Sequence, residues 1–237
     1  MEKIGRTGEG VFVVWQTQTA AIDAIAAWLT NIFFAAKPVP PIPHRACFAI
    51  VGPSAVGKTT LAIPLQQHMA KRYVPTTLIR RDSFIRGKNS SKRWFDDAAV
   101  QIMRQQVVRW LNSESSSGES VRIQNVPEPH CPLLPDSGII LFEDLRRMPE
   151  LPISGGICLV GEPAYLTRLE EKRNGVAWPW WEHLRRNFVK FRYQKHLLKC
   201  AHRSDYPWMV VTRNPSSGEF TGRMDRSTEN GRRLNEK

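Results

Sequence analysis

The chain has 237 residues and carries 34 Lys and Arg against 22 Asp and Glu, a formal net charge of +12. Hydrophobic residues make up 41% and charged residues 24%, a globular balance that argues against a disordered or fibrous chain and allows a core without staples. Its four cysteines, Cys47, Cys131, Cys158 and Cys200, stand far apart with no CxxC or Cys/His pair at ligand spacing, which favours reduced thiols in a cytoplasmic protein over a disulfide framework or structural zinc.

Residues 11–36 are the most apolar stretch. Gln16, Gln18, Asp23, Thr30 and Asn31 interrupt it, and its uncharged part, 24–36, is shorter than the ~20 apolar residues of a membrane span. Ile22, Ile25, Leu29, Ile32 and Phe33 recur at helical spacing, which predicts a helix docked on the globular body. Residues 37–43 hold four prolines and read as a stiff linker.

From residue 46 short apolar runs alternate with amphipathic stretches. The pattern predicts strands over 46–51, 76–79, 138–142, 156–160 and 208–212. Helices are predicted over 58–72, 97–111, 163–173 and 181–200. Pro64 should kink the first of these helices. Leu184, Phe188, Phe191 and Leu198 form the expected core stripe of the last. From 213 onward the chain is polar, which predicts a disordered tail. The organisation expected is a helical segment 1–36, a linker 37–45, one domain over 46–212 and the tail 213–237. Strands alternating with helices predict an α/β fold, a three-layer αβα sandwich around a mostly parallel sheet.

Gly52-Pro53-Ser54-Ala55-Val56-Gly57-Lys58-Thr59 fits G-x-x-x-x-G-K-[ST] in full. A predicted strand precedes it and a predicted helix follows, which is the context the motif requires. The glycines let several backbone N–H groups turn inward at a helix N-terminus, a concave anion site. Lys58 then supplies a point charge for β- and γ-phosphates, and the Thr59 hydroxyl a ligand for Mg²⁺. The motif therefore predicts a nucleoside triphosphate on residues Gly52 to Thr60 in a P-loop NTPase fold, without specifying a reaction.

Asp82 stands just past the strand 76–79, on the edge where ligands bind in parallel sheets. It is a candidate general base, with pairing to the flanking Arg80 and Arg81 as the alternative. The apolar run 139–142 ends in Glu143 and Asp144, either of which suits a place by Mg²⁺ opposite Thr59.

Taken together, the P-loop with Thr60, Arg81-Asp82-Ser83-Phe84, Phe95-Asp96-Asp97, residues 118–123, Ile140-Leu141-Phe142-Glu143 and Thr167-Arg168-Leu169 resemble the uridine kinase and phosphoribulokinase branch of the P-loop kinases. The resemblance covers about residues 46–212. It implies Asp82 as catalytic base, Asp96 on acceptor hydroxyls, Glu143 by the metal, and a mobile lid whose arginines meet the transferred phosphate. Arg168 and Arg173, with Lys172, are the lid cations here. His130, in a Pro-rich loop on the acceptor side, is a further candidate substrate contact.

The chain departs from that family's pattern at several places, among them Asn174 to Trp180, which stand where a charged lid turn is usual. Asp144 replaces a glycine after Glu143. Gln124-Asn125-Val126-Pro127 stands where the pyrimidine-nucleoside enzymes have Pro-Val-Tyr-Asp, so their base-reading residues are missing. Glu170 and Glu171 stand where lid arginines are expected. The +12 is also uneven: residues 76–112 and 151–212 each contribute +5 and 113–150 contribute −4. Arg185 to Arg203 hold seven basic residues and no acid.

The reading that accommodates most of this is an ATP- and Mg²⁺-dependent enzyme transferring phosphate to a hydroxyl of a small metabolite. No membrane partner is expected. A nucleotide-binding regulator that has lost transfer, and a nucleic-acid-associated NTPase using Arg185 to Arg203, are the alternatives.

Overall fold

The computed structural model describes residues 3–7, 10–15, 17–35, 44–86, 94–95, 97–112, 121–122, 133–143, 151–215 and 220–224. Two strands, β1 (Lys3–Thr7) and β2 (Gly10–Trp15), precede helix α1 (Gln18–Ala35). Then follow β3 (Arg45–Val51), α2 (Lys58–Arg72) and β4 (Thr76–Arg80), which runs into a single 3₁₀ turn, Arg81–Phe84. Two small ribbons, β5 (Ile85–Arg86) with β6 (Trp94–Phe95) and β7 (Val121–Arg122) with β8 (Leu133–Leu134), flank α3 (Asp97–Asn112). The chain ends with β9 (Gly138–Glu143), β10 (Gly155–Val160), α4 (Pro163–Asn174), α5 (Trp180–His202), β11 (Trp208–Arg213) and β12 (Phe220–Met224).

Eight strands form one sheet in the order β1-β2-β12-β11-β10-β3-β9-β4. From β11 to β4 every pairing is parallel, and β12, β2 and β1 extend the sheet antiparallel. Along β3 the side chains alternate between two cores. Ala46, Phe48 and Ile50 join a core with α1 and α2, while Cys47, Ala49 and Val51 join one with α3 and the inner side of α5. Burial on both faces explains why this strand reads as an unbroken apolar run. In the second core burial pushes the Cys47 and Cys158 thiols up to about 12, so neither is a ready nucleophile.

The expected docked helix is α1, which buries Ile22, Ile25, Leu29 and Phe33 against α2 and the sheet. No helix among the described residues is long and apolar enough to cross a membrane. Helix α2 runs on through Pro64, which lacks the N–H that would bond the Thr60 carbonyl. The Gln18 side chain of α1 donates to that carbonyl instead, at 3.2 Å. Removing this bond with Gln18→Ala should cost about 0.5–1.5 kcal/mol in denaturant unfolding, and the cost should vanish in a Pro64→Ala background. An equal cost in both backgrounds would refute this explanation.

The N-terminal segment is not helical throughout, because β1 and β2 precede α1. Within the segment expected to be a disordered tail, β12 pairs with β11 and β2. Its sequence FTGRM has only two apolar ends. What places it is the Trp15 ring, which lies where a Gly222 Cβ would be, 2.0 Å from Cη2. The linker residues 37–43 lie outside the described residues. The expected core stripe of α5 is also corrected: Leu184, Phe188 and Phe191 are exposed, and Leu198 is half-buried against the second core. The buried side of α5 carries Glu182, Lys190, Gln194, Leu197 and Ala201.

Candidate functional site

The loop after β3 lies in the middle of the parallel strands, where β9 flanks one side and β10 the other. Crossovers leave this point in opposite directions, which opens a crevice beyond the strand ends. Gly52 is required by close approach: a Cβ there would meet the Leu159 carbonyl oxygen at 2.6 Å. Ala55, at φ 66°, is the only non-glycine residue at positive φ among the described residues, a strained geometry of the kind that clusters at ligand clamps. Gly57 takes the left-handed conformation at the start of α2 and supplies no side-chain cap. The first N–H groups of α2 are thereby left for an anion.

Lys58 is buried and folded back over the loop, its Nζ donating to the Gly52 and Pro53 carbonyls at 2.8 Å each. Thr59 Oγ1 donates to Glu143 Oε1 at 2.7 Å. Glu143 is buried, and its Oε2 accepts no hydrogen bond among the described residues, lying 3.4 Å from Arg80 Nε in an ion contact. Arg80 and Glu143 face each other across the β4–β9 register. Two residues beyond β4, Asp82 carries a buried Oδ1 with no hydrogen-bond partner among the described residues. The ends of β3, β9 and β4 are neighbours at about 4.8 Å per strand, so the loop, Glu143 and Asp82 share one edge about 10 Å wide.

Thr59 and Glu143 fit a magnesium ion by chemistry. Both offer hard oxygen donors, and Glu143 has an oxygen to spare. Among the described residues no group of three His, Cys, Asp or Glu side chains forms a protein cage. A site with one or two protein oxygens, completed by phosphates and water, is what Mg²⁺ takes.

Beyond β10, α4 and α5 form a hairpin beside the loop. Arg173 Nη2 donates to Ser54 Oγ at 3.3 Å, so it is Arg173 that the structure brings to the phosphate loop. Arg168 is exposed and sits within the field of Glu171. Glu170 and Glu171, which stand where the resemblance expects lid arginines, are both engaged. Burial pushes the Glu170 carboxyl up, but Lys190, Arg186 and the Ser54 hydroxyl outweigh it and hold it below the usual range. The Trp178 N–H, donating to Glu171 at 2.7 Å, lowers that carboxyl, with His183 adding to the effect. Gln194 clips the start of the hairpin, giving and taking a 2.9 Å bond with the Gly161 backbone. Asp96, His130 and Asp144 lie outside the described residues.

The sequence reading missed Lys190 and Gln194 as supports of this hairpin. Their signal was available, because 186, 190, 194, 197 and 201 follow one helical row, but the apolar row on the opposite side drew the assignment.

The hairpin's ion pairs predict a pH dependence. Hydrogen bonds from Arg185, then Arg186, hold the Glu182 carboxyl down at about 2 against an ordinary 4.5. A depressed carboxyl stabilises the fold above its unfolded pKa and loses that effect as pH falls through its folded one. The Tm should therefore drop between about pH 5 and pH 2, and Glu182→Gln should flatten that slope. An unchanged slope would remove Glu182 from the account.

No protein-family model and no curated protein matches the chain. Among solved structures, the YGR205w protein superposes at TM-score 0.51 with 10% identity, over 87% of this chain and 98% of its own. With the loop at the centre of the parallel strands, that likeness decides the fold. The chain has a P-loop NTPase fold. A candidate fructose transport system kinase from Silicibacter sp. TM1040 overlaps at TM-score 0.49, 15% identity and 74% and 94% coverage of the two chains. A possible uridine kinase from Bacillus stearothermophilus overlaps at 0.46, 16%, 80% and 98%.

Proposed function

We propose that the protein is an ATP- and Mg²⁺-dependent phosphotransferase acting on a hydroxyl group of a small metabolite. The observation that carries this reading is Asp82, whose buried Oδ1 has no hydrogen-bond partner among the described residues and lies on the same sheet edge as the phosphate loop and the Thr59–Glu143 pair. Transfer to an alcohol needs an acceptor for the hydroxyl proton, and a carboxylate on this edge can take it. The kinase-like names among the fold neighbours agree with the reading without fixing a substrate.

In this proposal the N–H groups of residues Gly52 to Thr60 hold the β- and γ-phosphates, and Lys58 swings from the Gly52 and Pro53 carbonyls onto them. Thr59 and Glu143 would hold Mg²⁺, which when bound neutralises charge on the phosphate oxygens. Asp82 takes the acceptor proton at its free oxygen, Asp96 and His130 orient the acceptor, and Arg173, with Arg168, closes over the transferred group. Little covalent chemistry falls to the protein, so positioning and charge neutralisation carry the acceleration. Pairing of Glu170 and Glu171 with Lys190, Arg186 and His183 supports this reading over one in which lid acids repel the nucleotide.

The test is a thermal-shift screen of the ADP·Mg²⁺ complex against nucleosides, sugars and sugar phosphates. An acceptor pocket predicts one class that raises Tm beyond ADP alone and then stimulates ADP release from ATP. Turnover that ignores every acceptor and rises with single-stranded nucleic acid would contradict the proposal.

A further inference from the structure

Helix α5 is amphipathic the wrong way round. As far as Gln194 its buried residues are polar, Glu182, Lys190 and Gln194, with Leu197 and Ala201 following, whereas Trp181, Leu184, Phe188 and Phe191 are 56%, 59%, 60% and 56% exposed. These four recur at 3-4-3 spacing, and Lys195 and half-buried Leu198 continue the row. Such a spacing is the narrow seam by which one helix packs along another. From Trp181 to Leu198 it runs about 25 Å at 1.5 Å per residue.

One flank of the seam is uniformly basic. Arg185, Arg192 and Lys199 each follow a seam residue by one position and are exposed, and the Arg192 guanidinium lies 5.6 Å from the Phe188 ring centre. The other flank, Asn187 and Gln194, turns toward the protein body. The single acid of the helix, Glu182, is buried and already paired with Arg185 and Arg186. A second copy of α5 would bring a like-charged flank against this one, or set Lys195 against Lys195, and like charges across a helix pair repel. An in-plane membrane helix presents a wide apolar face with cations on both sides, whereas this seam has one open flank. The charge complement is a helix with an apolar seam bordered by acids.

We propose that α5 is a docking surface for an amphipathic helix of a partner protein, one that sets apolar residues along Trp181, Leu184, Phe188 and Phe191 and carboxylates against Arg185, Arg192 and Lys199. The proposal is independent of the chemistry assigned to the phosphate loop.

The test uses the full chain and a fluorescent peptide of about three heptads, with Leu at the seam positions and Glu on both flanks. A twin peptide with Lys in place of Glu serves as the comparison. Saturable anisotropy with the Glu peptide is expected, at least about tenfold tighter than with the Lys twin. Phe188→Ser with Phe191→Ser should weaken it about tenfold or more at unchanged Tm, and Arg192→Glu with Lys199→Glu should invert the preference toward the Lys peptide. No saturable binding of the Glu peptide up to ~100 μM, or binding indifferent to both double variants, overturns the proposal. It is equally overturned if the peptide stays silent while the Phe variants abolish binding to phosphatidylserine vesicles, binding to a single-stranded oligonucleotide, or a concentration-dependent dimer.

Discussion

Asp82→Asn should lower acceptor-dependent turnover by about 10²- to 10⁴-fold, the span of a lost general base, while ATP·Mg²⁺ binds with unchanged Kd. The two parts of this expectation have separate origins. Asp82 Oδ1 makes no hydrogen bond among the described residues, so the amide breaks no bond recorded at that oxygen and the fold should hold. The nucleotide contacts lie on the β3 loop, two strands away from β4. A loss of turnover accompanied by an equal loss of nucleotide affinity would mean that Asp82 supports the loop and does not receive the proton.

Lys58→Ala should act on binding first. One charge-assisted contact to phosphate is worth about 1.5–3 kcal/mol, or roughly 10- to 150-fold in Kd, and turnover should fall further because the same cation meets charge developing on the transferred group. In the described conformation Lys58 spends its charge on the Gly52 and Pro53 carbonyls. Titration calorimetry with ADP and with ATP separates the two effects. The variant should lose more affinity for ATP than for ADP, since Lys58 is assigned to both β- and γ-phosphates. Equal, small losses for both nucleotides would place the lysine in a structural role only.

Both predictions rest on residues that were legible in the sequence for a physical reason. A phosphate cradle needs glycines where the backbone crowds its neighbours, and Gly52 against Leu159 is such a place. Strands buried on two faces read as apolar runs, so β3, β9 and β10 stand out, and with them the carboxylate that ends β9. The rest was hidden where local pattern and tertiary demand disagree. β12 carries little apolar signal of its own and exists through β11, β2 and the Trp15 ring. In α5 the apolar row suggested a core face, but burial went to the row that pairs with α4 and the Gly161 backbone, because Glu170 brings a charge that Lys190 must meet. Periodicity locates the two faces of a helix. It does not say which one faces inward when both have a use.

The proposed reaction is transfer of the ATP γ-phosphoryl group to an organic hydroxyl on the edge shared by the phosphate loop, Glu143 and Asp82. Following label from γ-labelled ATP, with Mg²⁺ and a pool of small alcohols, tests it most directly. The account predicts label on an organic acceptor, dependent on Asp82. Label appearing only as inorganic phosphate, at a rate indifferent to the pool and to Asp82→Asn, would contradict it.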